Sequence, residues 1–218
     1  METENRSLLT EGAKTFGIFL DRKAAEALEV YLHELVKWNQ KINLTAIRTE
    51  REIVLKHFLD SLSVLPHLSG VSLLLDLGSG AGFPGIPLKI VRTSLRVTLV
   101  ESVSKKVDFQ RHIIRTLGLR GIEAVHGRAQ DQEILGRMKG QFDMVISRAL
   151  SDTQTFLKLS GPFLRKGGRV LAMKADISRE ETQCYAEVEG DRYKLLETVS
   201  LILPFSSFKR SILVLEKQ

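Results

Sequence analysis

Cysteine is all but missing from this chain: Cys184 is the only one among 218 residues. An internal disulfide is excluded, and there is no cysteine framework for a zinc site. No apolar run reaches about 18 residues, so no membrane-spanning helix is expected. Residues 1–6 are polar and charged and lack the apolar core of a secretion signal. Internal repeats and low-complexity tracts are absent, and so is any Cys-His or Ser-His-Asp pattern. The five histidines, His33, His57, His67, His112 and His126, are scattered. These absences predict a reduced, cytoplasmic setting, with no metal and no membrane contact.

What is present is a hydrophobic content of 43%, enough for a sizeable core, and a net charge of +6 with an isoelectric point near 9.5. At this length one large domain, or one domain with an appendage, is expected. A basic domain is a candidate for binding polyanions, although surplus surface lysine produces the same balance.

Residues 1–68 read as helical. Leu28, Tyr31, Leu32, Leu35, Trp38 and Ile42 recur at three- and four-residue spacing and share a helix face. Thr49 and Glu52 form a capping-box pattern that opens a helix through Phe58, and Pro66 and Gly70 end the helical texture. From Val71 onward, strands and helices alternate. The expected strands are 71–76, 96–100, 121–126, 142–147, 169–174, 193–202 and 211–216. The expected helices are 84–92, 104–117 (with Gly118 as its C-terminal stop), 152–160 and 178–188. Such alternation predicts an α/β fold with a mainly parallel sheet covered on both faces. The last two strands lack an intervening helix and predict an antiparallel edge.

The densest signal is Leu73-Leu74-Leu75-Asp76-Leu77-Gly78-Ser79-Gly80-Ala81-Gly82-Phe83-Pro84-Gly85, a buried strand running into a glycine-rich turn and a helix start. Junctions of this kind hold small ligands in open α/β sheets. Gly80 to Gly85 formally satisfies G-x-G-x-x-G, and Glu101 follows at the distance of a ribose-binding acid, so an NAD(P)-dependent oxidoreductase is one reading. Asp76 favours a different cofactor. A carboxylate at the strand end repels phosphate and attracts a cationic group such as the amino group of S-adenosyl-L-methionine. Pro84 and Pro87 also remove N–H donors from the helix start. Glu101 can accept both ribose hydroxyls in either case.

The same tract, through Leu88, resembles the bacterial 16S ribosomal RNA guanine-N7 methyltransferases, the glucose-inhibited division protein B family. Lys37-Trp38-Asn39-Gln40-Lys41-Ile42-Asn43-Leu44-Thr45 and His57-Phe58-Leu59-Asp60-Ser61 are similar to that family's signatures. So are Glu101-Ser102-x-x-Lys105-Lys106, Gly127-Arg128-Ala129, Ser147-Arg148-Ala149 and Lys174. The likeness runs from about residue 30 to 174. It implies a Rossmann-like class I S-adenosylmethionine-dependent methyltransferase fold over 69–218, with an N-terminal helical extension over 1–68. The implied reaction is methyl transfer to N7 of one guanine, at position 527 of 16S rRNA. Its implied substrate is that RNA or the small ribosomal subunit. The implied cofactor contacts are Gly78, Phe83, Glu101, Ser102, Ala129, Gln130 and Arg148, to which the charge argument and the glycine loop add Asp76 and Gly80. Gln130 stands where the family usually has glutamate, and Ala175 where it often has glycine.

Guanine N7 carries a lone pair and no proton, so the reaction needs alignment and no general base. Arg148 and Lys174 are the positioning candidates. Because N7 is shielded in A-form RNA, the target base is expected unpaired. Lys105, Lys106, Arg165, Lys166, Lys174, Lys209 and Arg210 are the candidates for RNA contact. Trp38 reads as packing, and Asn39 and Asn43 as ties between the helices and the sheet domain. A non-catalytic RNA-binding protein that keeps this fold is a further alternative.

Overall fold

The structure, a computed structural model, describes residues 1–148, 152–175 and 185–218. Five strands run parallel: β1 (Leu73–Leu77), β2 (Arg96–Glu101), β3 (Ile122–His126), β4 (Phe142–Arg148) and β5 (Leu164–Lys174). Beyond β5 come β8 (Lys209–Lys217), β7 (Asp191–Ile202) and β6 (Tyr185–Val188), each antiparallel to its neighbour. The order is β3-β2-β1-β4-β5-β8-β7-β6. The expected antiparallel edge is therefore present and broader than the pattern suggested.

One expectation is corrected at this edge. A helix over 178–188 does not hold for its last four residues, which form β6; residues 176–184 lie outside the described ones. Glu189 and Gly190 both take positive φ, 52° and 85°, and close a two-residue hairpin pairing Val188 with Asp191. Antiparallel pairing with β7 replaces the expected last helical turn.

Alternation along the strands sorts the core into two layers. Leu74, Leu99, Met144, Ile146, Met173 and Ile212 face a cluster that includes the N-terminal helices. Leu75, Val100, Val145, Val170 and Leu213 face the other side. The first layer contains α1 (Thr3–Thr15) and α2 (Arg22–Asn39), followed by α3 (Glu50–Ile53), a wide π-helical stretch (Val54–Leu59) and α4 (Asp60–Leu62). It also takes α5 (Gly85–Val91) and α6 (Ser104–Thr116). The second layer takes α7 (Gln132–Met138), which the sequence reading did not anticipate, and α8 (Thr153–Ser160).

Local signals explain several elements. Asp21 caps α2 by accepting the Ala24 N–H at 2.7 Å. Half of the Thr49–Glu52 box is present: Glu52 N–H donates to Thr49 Oγ1 at 3.3 Å, while the Glu52 carboxylate accepts from the Thr49 hydroxyl at 3.1 Å. Gly118 follows α6 at φ +59°. On α2, Leu28, Tyr31, Leu32 and Leu35 are fully buried, and each contributes roughly 1.5–3 kcal/mol.

Residues 1–68 share one continuous core with the sheet, so the chain-level boundary at 68/69 is not a packing boundary. Phe58 lies fully buried in that core. Phe58→Ala is expected to cost about 3–5 kcal/mol and to shift a single cooperative urea transition. Two separated transitions, with the sheet domain unaffected, would contradict a common core.

Candidate functional site

The C-terminal ends of β1, β2 and β4 form one rim, built from the loops that follow them. After β1 the chain turns through Gly78 and Gly80, at φ +70° and +59°, with open space where a Cβ would stand. Glu101 ends β2, 6% exposed. Its carboxylate accepts the Gly80 N–H at 2.8 Å and the Val103 N–H at 2.9 Å, so it clamps the first loop to the second. Gln110 of α6 braces the same turn, donating to Ser79 Oγ at 2.8 Å and the Gly80 carbonyl at 2.7 Å.

Behind this clamp is a cavity of about 190 Å³. Leu77, Val100, Ala129 and Leu159 supply its apolar lining, and Ser102, Arg128 and Gln130 its polar side. Four expected contacts, Gly78, Ser102, Ala129 and Gln130, therefore meet around one space. A larger cleft of about 360 Å³, between Arg96, Glu123 and Arg137, opens at the other end of the strands. Its lining includes an exposed Arg137–Glu123 pair and none of the expected cofactor contacts.

Asp76 is not where the charge argument put it. It shares strand parity with Leu74, which turns it under α5, fully buried. Its Oδ2 accepts the Gly85 N–H at 2.8 Å and its Oδ1 has no partner. Burial pushes its pKa up to about 7, with the Glu101 charge adding and Gly85 and Arg148 opposing. Asp76 thus anchors the loop from below instead of presenting a carboxylate to a ligand.

Apart from Ala81, the loop's N–H groups from Gly78 to Phe83 are spent internally. Gly78 and Ser79 donate to the Val100 carbonyl, Gly82 and Phe83 to the Ser79 carbonyl, and Ile86 to the Gly82 carbonyl. With Gly80 on Glu101 and Gly85 on Asp76, the free N–H array that holds a pyrophosphate at a helix start is missing. The glycine spacing matches the dinucleotide fingerprint, but the hydrogen bonding does not.

Phe83 is 3% exposed, so its ring packs inside and only its backbone is open to a cofactor role. Tyr31 and His57 both stack on it, with centroids at 5.1 and 4.5 Å. The Arg148 guanidinium lies 5.3 Å from its centroid. Arg148 Nη1 donates to the Lys56 carbonyl at 2.8 Å and approaches Asp60 Oδ2 at 3.4 Å, and Nη2 reaches His57 Nδ1 at 2.9 Å. Because guanidinium only donates, His57 Nδ1 accepts. Its Nε2–H therefore faces Thr45 Oγ1 at 2.8 Å. Burial first, then the Arg148 charge, pushes His57 down to about 3, so it is neutral.

Asp60, 2% exposed, also accepts from Arg210 Nε at 2.8 Å. Burial pushes this carboxyl up while the two guanidinium groups pull it back. His57, Asp60, Tyr31 and Gln110 were not expected at the site. For His57 and Asp60, the signal was their three-residue spacing on one helix face.

The cationic candidates divide. Lys105 and Lys106 start α6 beside the rim. Lys174 ends β5 next to the row of Arg148, and Lys209 and Arg210 open β8 at the same end. Arg165 and Lys166 stand apart from these: they begin β5, which is parallel to β4, and so lie at the opposite end of the sheet. Arg165 there pairs with Asp143 at 2.6 Å. Asn39 holds its own following turn, accepting from Leu44 and Thr45 N–H at 2.9 and 3.0 Å, and does not bridge to the sheet domain. Asn43 is exposed. Trp38 packs on Phe109 and His112, as its stripe implied.

A family model described as rRNA small subunit methyltransferase G matches residues 24–206. The ribosomal RNA small subunit methyltransferase G of Geobacter metallireducens is 42% identical, covering 100% of this chain and 99% of that protein. That of Geotalea uraniireducens is 43% identical, with coverage of 100% and 99%. Among solved structures, an Aquifex aeolicus SAM-dependent methyltransferase aligns with a TM-score of 0.53 at 17% identity, covering 75% of this chain and 92% of its own. M. jannaschii TYW2 in complex with AdoMet aligns at 0.50 and 18% identity, covering 72% and 75%. These two show the fold.

The buried titrating pair gives opposite pH signatures. His57 holds about 3 in the fold against an ordinary 6.5, so it lowers stability as pH falls through that window. Asp76 holds about 7 against 3.8, so it lowers stability as pH rises through its window. In urea unfolding across pH 3–7, His57→Gln is expected to lose the first dependence and Asp76→Asn the second. Difference curves flat with pH would contradict both assignments.

Proposed function

The chain belongs to the rRNA small subunit methyltransferase G family, and from that premise we propose that it methylates N7 of a single guanine, position 527, in 16S rRNA. As a member of this family it is an S-adenosylmethionine-dependent rRNA methyltransferase. The observation that carries the cofactor assignment is the Glu101 clamp beside a small cavity, in a loop whose N–H groups are used save that of Ala81.

The residues present fit the methyl donor. Each Glu101 oxygen keeps acceptor capacity for a ribose hydroxyl after taking its backbone N–H. The cavity is smaller than the roughly 300–1,000 Å³ of complete ligand sites, which suits a purine ring alone. In this reading Ala129 and Gln130 border the adenine, Ser102 the ribose, and Gly78 and Gly80 the amino-acid end. When bound, S-adenosylmethionine supplies a methyl group on a positively charged sulfur. The N7 lone pair forms the new N–C bond as the C–S bond breaks, and the sulfur keeps the bonding pair.

No proton leaves N7, so the protein's task is alignment, which is worth roughly 7–11 kcal/mol when well executed. Arg148 has both Nη groups engaged by Lys56, Asp60 and His57. An end-on fork onto guanine N7 and O6, a common arginine–guanine contact, is thus closed to it. That leaves Nε–H and one Nη2–H as the donors Arg148 can still offer, and the reaction requires that neither of them covers the N7 lone pair. Lys105, Lys106, Lys174, Lys209 and Arg210 supply the cationic border for phosphates. The same reading places the protein in the cytoplasm, with 16S rRNA or the small subunit as partner.

Incubating deproteinised 16S rRNA and intact small subunits with methyl-labelled donor tests this. Label is expected at one guanine, with strand scission there after borohydride and aniline treatment. Label on another atom, or none on either substrate, would overturn the proposal. Arg148→Ala is expected to lower kcat by about 100-fold, the scale for losing a group that orients the reactants. Near-normal turnover would remove Arg148 from the mechanism.

A further inference from the structure

The turn between β7 and β8 belongs to the rim, yet methyl transfer as described leaves it unused. It displays Phe205, 57% exposed, with Ile202 beside it at 58%. Phe205 sits at φ +58°, a backbone conformation disfavoured for a bulky side chain. The turn is built to hold it there. Leu203 N–H donates to the Phe208 carbonyl at 2.9 Å, Ser206 Oγ to the Leu203 carbonyl at 2.8 Å, and Phe208 N–H to Ser206 Oγ at 3.2 Å. Phe208 faces inward, packed on the core, with the Lys56 ammonium 4.4 Å over its ring. One phenyl of the turn anchors it and the other is turned out to solvent.

Strand register fixes where this happens. Arg148, Met173, Ile212 and Val199 form one row across β4, β5, β8 and β7. Leu203 lies four residues past that row, about 13 Å along the strand direction, and β8 is two strand spacings, about 10 Å, from β4. Arg210, at the base of the turn, shares Asp60 with Arg148, which ties the turn to the reaction rim. Exposed Lys209 and half-buried Arg210 flank it.

A small apolar face ringed by cations suits a flat ring carried on a polyanion. We propose that Phe205 is a stacking platform for an unpaired base of the RNA substrate near the target guanine, with Lys209 on an adjoining phosphate. This rests on the rRNA methyltransferase reading and extends it. A protein partner, or a second copy of the chain, would find only two large apolar side chains here among Ser206, Ser207 and Lys209.

The test is binding of deproteinised 16S rRNA to the full chain across a salt series. Phe205→Ala is expected to weaken binding roughly 5- to 150-fold with an unchanged salt slope. Phe205→Trp should restore it. Lys209→Gln should reduce the log–log salt slope by about 1 instead. Phe205→Gly should raise the melting temperature, by relieving the positive φ, yet bind RNA as poorly as Phe205→Ala. Unchanged RNA affinity in Phe205→Ala would overturn the platform, as would loss of a dimer in sedimentation without loss of RNA affinity. A parent protein that transfers no methyl group, but whose RNA affinity falls with Phe205→Ala, would overturn the reaction and leave the platform standing.

Discussion

The structure at the rim depends on one buried carboxylate. Glu101 accepts N–H groups from Gly80 and Val103, and so fixes the loop after β1 against the loop after β2. Charge-assisted hydrogen bonds of this kind are among the stronger ones a fold has, and here both donors are main-chain groups that water would otherwise serve. With the two loops fixed, the space between Leu77, Val100 and Ala129 is defined before any ligand arrives. Asp76 does the complementary work from beneath, engaging Gly85 at the start of α5. The acids of β1 and β2 divide the labour: Asp76 shapes its loop from the core, and Glu101 ties that loop to the next.

The helical layer has a second role at the same rim. Arg148 ends β4, but the groups that hold it come from the stretch between Lys56 and Asp60. That stretch lies in a wide helical turn, an irregularity found often at functional sites. A neutral His57 and an Asp60 shared between two arginines leave one net positive charge for Arg148, Arg210 and Asp60 together. The N-terminal helices therefore set the orientation and charge of a group at the reacting end, besides covering one face of the sheet.

Much of this was legible in the chain. The α2 stripe, the Thr49–Glu52 box, Gly118 and the alternation of strands and helices reflect local rules, and local rules survive packing. The rim positions of Glu101 and Gly78 were readable because they end and follow strands that the apolar runs mark. Asp76 was misplaced because its charge and its place at the strand end were read and its parity was not; sharing a face with Leu74 decides where it points. Arg165 and Lys166 were judged by charge without asking at which end of a parallel strand they begin. The His57–Arg148 contact spans 91 residues and had no local sign. Residues 185–188 became strand because they pair with β7, from Tyr185 opposite Lys194 to Val188 opposite Asp191, and that partner lies beyond the expected helix.

The central claim is that Glu101 and the cavity beside it hold an adenosyl donor, and that the glycine loop holds no pyrophosphate. Calorimetric titration of S-adenosylmethionine and of NAD into the parent protein and into Glu101→Gln tests it most directly. The account predicts donor binding by the parent, at least a tenfold loss in the variant, and no heat from NAD. Equal donor affinity in the two proteins, or tight binding of NAD, would contradict it.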